Sequence, residues 1–280
     1  MVSFELEEGV DLPAALPIRW EPTAPDHLPL RVAEKRQESA DVVSFRFESV
    51  DGAPLPRFAP GQYLPIHLAL PGEEAPLVRT YSLSGSTGAS DYRISVKREP
   101  DGRGSRWLHD QIRLGTTLTA RPPLGPFTLE PGERPVVLVG AGIGITPLLS
   151  MLHELVAGAD PRDVHMFRVV RDGEHDPHGA EIRALADSSR RASSKVFFSR
   201  PREADRLGRD FDATGRPDAE SIVAAVGAVD VDFYLCGPVP FMASMREGLV
   251  GLGVDETRIH TETFGAPGSS SSLPEPGREL

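Results

Sequence analysis

Near residue 130 the hydrophobic pattern of this chain changes once, and that change restricts the fold more than any single motif does. From residue 30 to about 129 the apolar residues alternate or fall in short blocks, such as Val42-Val43-Ser44-Phe45-Arg46-Phe47, Tyr63-Leu64-Pro65-Ile66-His67-Leu68 and Tyr92-Arg93-Ile94-Ser95-Val96. Turn clusters separate them (Asp51-Gly52-Ala53-Pro54, Pro71-Gly72, Gly85-Ser86-Thr87-Gly88). A period of two with turns at this spacing predicts short, half-buried strands in an antiparallel barrel or sandwich. One short helix over 105–112 interrupts them. From residue 135 onward, fully apolar runs such as Val136-Val137-Leu138-Val139 alternate with helical patterns over 147–157, 180–186, 219–226 and 241–252. A strand apolar on both faces must be covered on both faces, so this half predicts a doubly wound parallel sheet. The boundary is expected at 130–134, giving units over 30–131 and 132–266. Residues 1–29 read as a Pro-rich acidic arm and 267–280 as a flexible Gly/Ser/Pro tail.

Three motifs sit on or just after predicted strands, in a fixed order. Arg79-Thr80-Tyr81-Ser82 alternates its side chains along a strand, so neighbouring residues can serve both ends of a flavin. Arg79 suits a phosphate in a bidentate contact, Tyr81 can lie against the ring, and Ser82 can hydrogen-bond its N5 edge. Gly104-Ser105, opening the short helix, offers free backbone N–H groups to a pyrophosphate. Taken alone, this set also fits an ordinary strand with an exposed Arg and a capping Ser. Gly140-Ala141-Gly142-Ile143-Gly144-Ile145-Thr146-Pro147 follows an apolar strand, with Thr146 expected as N-cap and Pro147 at the first helical position. Its small residues admit a pyrophosphate to the helix N-terminus. Ile145 replaces the third glycine of the common dinucleotide fingerprint. Ser199-Arg200 follows the third strand of this half. There Arg200, with Arg202, can accept a 2′-phosphate and favour NADPH over NADH, the alternative being a solvated basic turn. Cys236-Gly237-Pro238 closes a later strand and is expected to face the ligand crevice.

Composition narrows the function class. A formal net charge of -11 argues against a nucleic-acid surface. The single cysteine, Cys236, excludes an internal disulfide and a four-thiolate iron–sulfur cluster. No apolar stretch reaches the roughly 20 residues of a membrane span. The acidic N-terminus is not a signal peptide, so a cytoplasmic location is expected.

As a set, these motifs resemble those of the ferredoxin–NADP reductase superfamily, above all the reductase module of flavohaemoglobins and oxygenase reductases. The resemblance covers about residues 30–266 and rests on Gly61-Gln62-Tyr63, Arg79-Thr80-Tyr81-Ser82, Gly104-Ser105, Gly142-Ile143-Gly144-Ile145-Thr146-Pro147, Cys236-Gly237-Pro238 and Glu262-Thr263-Phe264-Gly265. It implies FAD, with FMN as the alternative, contacted by Tyr63, Arg79, Thr80, Tyr81 and Ser82. Lys97 joins these as a candidate cofactor contact. It also implies that residues 142–147 and 236–238 hold the nicotinamide dinucleotide. Glu262, Thr263 and Phe264 would approach the flavin ring, with Phe264 at the face where nicotinamide stacks. Ser82, Cys236, Glu262 and Phe264 form the candidate catalytic set, and no metal is expected. The implied chemistry is hydride transfer from NAD(P)H to flavin N5, then single-electron release.

The arm is too short for a globin, so the electrons are expected to leave to a separate oxygenase, ferredoxin or haem protein. The alternatives are a free-flavin or quinone reductase and a non-catalytic flavin or nucleotide sensor. His175-Asp176-Pro177-His178 reads as a surface turn, His153 as solvated or partly packed, and Trp20 and Trp107 as packing residues.

Overall fold

The computed structural model describes residues 27–157 and 160–264. The proposed tail and most of the arm, Trp20 included, lie outside the described residues. The first half forms β1 (Leu28–Gln37), β2 (Val42–Ser49), β3 (Tyr63–Leu68), β4 (Leu77–Ser82), β5 (Tyr92–Lys97) and β6 (Thr117–Ala120), with α1 (Arg103–Gln111) before β6. The sheet runs in the order β4-β3-β6-β1-β2-β5, antiparallel throughout. A bridge between Leu83 and Ile94, with Ser84 N donating to Arg93 O at 2.8 Å, brings its two edges together into a nearly closed barrel. The alternation seen in the sequence is the cause. Leu28, Leu30 and Val32 point inward from β1 while Pro29, Arg31 and the polar residues beyond face out. Phe45, Phe47, Leu64, Ile66, Leu83 and Ile94 fill the interior. Each such side chain contributes about 1.5–3 kcal/mol on burial. Trp107 of α1 packs against this core, as a packing residue should.

The second half comprises β7 (Val136–Ala141), α2 (Ile145–Ala157), β8 (Val164–Val170), α3 (Gly179–Asp187), β9 (Ala192–Phe198), β10 (Ala213–Thr214), α4 (Ala219–Val226), β11 (Asp232–Gly237), α5 (Val239–Gly251) and β12 (Ile259–Thr263). All pairings in the sheet β10-β9-β8-β7-β11-β12 are parallel. The apolar run of β7 is divided between two cores. Val136 and Leu138 pack with Leu148 and Leu152 of α2, while Val137 and Val139 pack with Ile222 of α4 and Met242, Met245 and Leu249 of α5. Helices therefore cover both faces, which is why the strand tolerates no polar position. The edge strands β10 and β12 were not anticipated. No helix among the described residues is long and apolar enough to cross a membrane.

Chain order reverses between β7 and β11. Strands added after β7 extend the sheet one way to β10, and those from β11 extend it the other way to β12. At such a reversal the loops leaving the carboxyl ends of the two central strands diverge to opposite faces and leave a crevice, the usual ligand position in open α/β sheets.

Candidate functional site

In the barrel, β3 and β4 pair so that Tyr63 stands opposite Ser82 and Leu64 opposite Tyr81. Arg79 and Thr80 are exposed, Tyr63 and Tyr81 half-buried, and Ser82 buried. Arg79 donates to its neighbour Val78 O at 2.8 Å and has no carboxylate partner among the described residues, leaving its charge available to an anion. Gly104 in the first turn of α1 lies against this strand. A Cβ there would stand 3.2 Å from Arg79 Cγ and 3.3 Å from the Tyr81 hydroxyl. The Arg, the Tyr and a helix N-terminus thus converge, an arrangement suited to a phosphate. Burial pushes the Tyr81 phenol well above its ordinary range, so it remains neutral. Ser105 is committed to the local chain: its hydroxyl donates to Gly102 O and accepts from Glu99 N, both at 3.2 Å. Lys97, at the end of β5, sits 3.6 Å from Glu99.

The glycine-rich segment behaves differently from its sequence reading. Residues Gly142–Gly144 form a 3-10 turn that runs directly into α2 at Ile145. Thr146 is therefore inside the first helical turn, not the N-cap, and its hydroxyl donates to Ile143 O at 3.0 Å. The missing third glycine has a physical reason as well: Ile145 is fully buried in the core beneath α2. Gly142 adopts φ +57. Gly144 packs face to face on β11, where a Cβ would overlap the Cys236 carbonyl and stand 2.7 Å from Gly237 N. Pro147 is buried, and Pro238 caps the start of α5 without a side-chain bond. The loops after β7 and β11 are thereby locked to each other at the point of reversal.

The unanticipated β12 explains the terminal motif. Its register sets Glu262 opposite Cys236 and Thr263 opposite Gly237. Phe264 packs on the core cluster that includes Cys236, Phe127 and Met151. The Cys236 side chain is fully buried, so it does not face open solvent in the crevice. Burial, reinforced by the Glu262 charge, pushes its thiol well above the ordinary value, and no thiolate is available as a nucleophile. Burial also pushes the Glu262 carboxyl up to about 7. Ser199 and Arg200 extend β9, their backbone N–H groups donating to Val170 O at 2.9 Å and Arg171 O at 2.8 Å. Arg200 is exposed without a carboxylate partner among the described residues, whereas Arg202 is paired with Glu174.

Two buried polar atoms decide whether these residues suit a flavin. Ser82 Oγ and Glu262 Oε2 have no hydrogen-bond partner among the described residues. An unpaired buried polar group costs about 1–3 kcal/mol, so native chains normally satisfy it. A flavin ring edge carries both donors and acceptors and can satisfy a hydroxyl or a carboxyl of this kind. The residues present fit the group. Among the described residues, no cluster of three or more His, Cys, Asp or Glu side chains could hold a metal ion.

A further sequence reading was wrong. The segment His175-Asp176-Pro177-His178 is not a surface turn. Asp176 is buried against the fully buried Arg168, and His178 is buried against the barrel. Arg168 of β8 and Glu181 of α3 are near in the chain, but Ser95 of β5, which meets His178, is far away, and no local pattern signals that contact. His153 is partly packed, against Glu181 of the same cluster.

Known proteins agree with this arrangement. The family model for an oxidoreductase FAD-binding domain matches residues 29–129, and that for an oxidoreductase NAD-binding domain matches residues 138–247. The flavohemoprotein of Bordetella pertussis is 41% identical over 243 residues, covering 85% of this chain and 60% of that protein. The chain thus spans less than two thirds of that relative. The flavohem-like FAD/NAD-binding domain of nitric oxide dioxygenase from Vibrio cholerae superposes with a TM-score of 0.76 at 33% identity, covering 86% of this chain and 100% of that one. Flavohemoglobin from Malassezia yamatoensis, with bound FAD and heme, gives a TM-score of 0.74 at 27% identity, covering 85% of this chain and 60% of that one. With a nearly closed antiparallel barrel carrying the FAD-binding match and a parallel sheet carrying the NAD-binding match, the chain belongs to the ferredoxin–NADP reductase family and is an FAD-dependent NAD(P)H oxidoreductase.

Proposed function

We propose that this chain is the electron-input module of a two-protein system, passing single electrons from NAD(P)H through FAD to a separate redox partner, with a haem protein, an oxygenase or a ferredoxin as the acceptor class. The unpaired, buried Ser82 hydroxyl beside Tyr81 and Arg79 is the observation that carries the reading, because a flavin edge is the group that satisfies it. When bound, the flavin supplies the hydride-accepting and one-electron chemistry that amino-acid side chains lack. The flavin unit is assigned to 30–131 and the nucleotide unit to 132–266.

In this reading Arg79 and the first turn of α1, with Gly104 and Ser105, hold the phosphates. Tyr63, Thr80, Tyr81 and Lys97 line the flavin, and Ser82 donates to its ring edge. Gly142, Ile143 and Gly144, with Thr146, Pro147, Gly237 and Pro238, shape the dinucleotide crevice. Cys236 stays neutral and fills space beneath it. Glu262, poised near neutrality, holds or releases a proton at Oε2 beside the crevice. Phe264 would lie near the face where nicotinamide stacks, with Thr263 anchoring that end of β12. Ser199 and Arg200 meet the adenosine ribose, favouring NADPH.

The purified chain is expected to be yellow and to bleach anaerobically with NADPH; a colourless protein that no flavin reconstitutes would refute the assignment. Arg200→Ala is expected to raise KM for NADPH roughly tenfold, the loss of about one charge-assisted contact, while leaving that for NADH nearly unchanged. Equal effects on both nucleotides would remove Arg200 from the site. A haem-protein acceptor is supported by the likeness to flavohemoproteins. Turnover with a haem protein and a ferredoxin, set against free flavin and quinone, separates a protein acceptor from a small-molecule one.

A further inference from the structure

The hydride-transfer site draws on both sheets, yet the covalent link between them is one loop over 121–135. A polar cluster that none of the cofactor motifs includes also joins the two halves, with His178 and Ser95 buried and Glu181, Arg93 and His153 partly so. Glu181 of α3 is its centre. Both oxygens of its carboxylate face Arg93 of β5, with Nη2 to Oε1 at 2.8 Å and Nη1 to Oε2 at 3.0 Å. Oε1 also meets His153 Nε2 of α2 at 2.7 Å, and Oε2 meets His178 Nδ1 at 3.0 Å. The opposite ring nitrogen of His178 lies 2.8 Å from Ser95 Oγ, which in turn lies 2.9 Å from Ser84 Oγ, two residues beyond Ser82. Glu38 of the β1–β2 turn stands 3.6 Å from His178 Nδ1, and the same turn receives a backbone bond, from Ala40 N to Glu174 O, at 2.8 Å. His178 is the one described non-glycine residue with positive φ, at +58, a conformation held only when its surroundings demand it. Burial alone would raise the Glu181 carboxyl; the bonds from His153, His178 and Arg93 overturn that and hold it far below the ordinary carboxylate range.

The cluster therefore ties the residues just beyond the Ser82 strand to helix α2, which follows directly on the Gly142–Gly144 turn and carries Thr146 in its first turn. We infer that Glu181, with Arg93 and His178, is a positioning residue for hydride transfer: it sets the distance between the flavin strand and the nucleotide helix without touching either cofactor. The inference rests on the proposed placement of flavin and nicotinamide at Ser82 and at the residue 142–147 turn.

Glu181→Ala, Glu181→Gln and Ser95→Ala test it. Misplacement of reacting groups by about 1 Å can cost on the order of 10²-fold in rate. Glu181→Ala is expected to lower the limiting rate of anaerobic flavin bleaching by at least about tenfold. Flavin content and flavin midpoint potential should stay at wild-type values. In the apoprotein, hydrogen exchange at the Ala40 amide should accelerate while the barrel core keeps its protection. Glu181→Gln, which retains the acceptor oxygen, should recover part of the rate. Ser95→Ala, a small change within the barrel, should give a smaller fall in the same direction and serves if Glu181→Ala does not fold. An unchanged limiting rate in the folded variants would overturn the inference. So would a fall accompanied by lost flavin or a shifted potential, since that marks general damage to the barrel. Failure of the wild-type protein itself to bleach would instead overturn the functional proposal.

Discussion

Replacing Gly144 by Ala wedges the nucleotide turn away from β11 by an amount the structure sets. A Cβ on Gly144 lies 2.5 Å from the carbonyl carbon of Cys236 and 2.7 Å from Gly237 N. Carbon atoms settle at about 3.5–4.0 Å, so the turn and the strand must part by roughly 1 Å. No flexible side chain can give way, because both obstacles are backbone, held in register between β7 and β12. Overpacking of this kind costs about 1–3 kcal/mol, or roughly 2–4 °C in melting temperature for each kcal/mol in a chain of this size.

The functional cost should be larger than the loss of stability. A displacement of about 1 Å at the crevice is enough to reduce hydride transfer on the order of 10²-fold. The core of the barrel does not include the turn, so flavin content should match the wild type. Anaerobic stopped-flow reduction over a range of NAD(P)H concentrations, with a melting curve on the same sample, measures both quantities. A variant that melts at the expected lower temperature yet reduces its flavin with wild-type nucleotide dependence would refute the placement of nicotinamide at this turn. Gly142→Ala is the control. No atom lies within 4 Å of a Cβ there, so its cost is the left-handed backbone alone, about 1–2 kcal/mol.

Ser82→Ala removes an unpaired buried hydroxyl, so the apoprotein should melt no lower than wild type. Flavin reduction should nevertheless slow roughly 2- to 10-fold, the value of one hydrogen bond of about 0.5–1.5 kcal/mol; calorimetry and stopped-flow check the two arms. Because burial raises the Glu262 carboxyl to about 7, the folded apoprotein keeps a proton that the unfolded chain releases above the ordinary glutamate range. Its unfolding free energy should therefore fall as pH rises through that window and level off above about 7, by at most about 3 kcal/mol. Urea midpoints at pH 5 and 7.5 should differ less in Glu262→Gln than in wild type, and equal differences would assign the pH dependence elsewhere.

Local pattern carried the architecture where one residue class served one physical need. The run over 136–139 is apolar because α2 covers one face and α4 and α5 the other, so its place in a buried parallel strand was legible. The closing strand was not. Ile259-His260-Thr261-Glu262-Thr263 pairs on one side only and buries Ile259 alone, so it carries no apolar run. The start of α2 was misread for a different reason: a 3-10 turn continues into the helix there, with Ile145 N donating to Gly142 O and Ile143 O, so Thr146 lies past the helix start where a cap would sit.

The least legible element is the polar seam. Ser95 and His178 lie 83 residues apart, and Arg93 and Glu181 lie 88 apart. In sequence each is an ordinary surface residue type, and only their meeting across the two halves distinguishes them. Cofactor-binding residues announce themselves because glycines and helix starts must be local to admit a phosphate. The geometry between two cofactors has no such local requirement. It can be fixed by any pair of side chains that meet across the seam, and a His in left-handed backbone facing a carboxylate is how this chain does it.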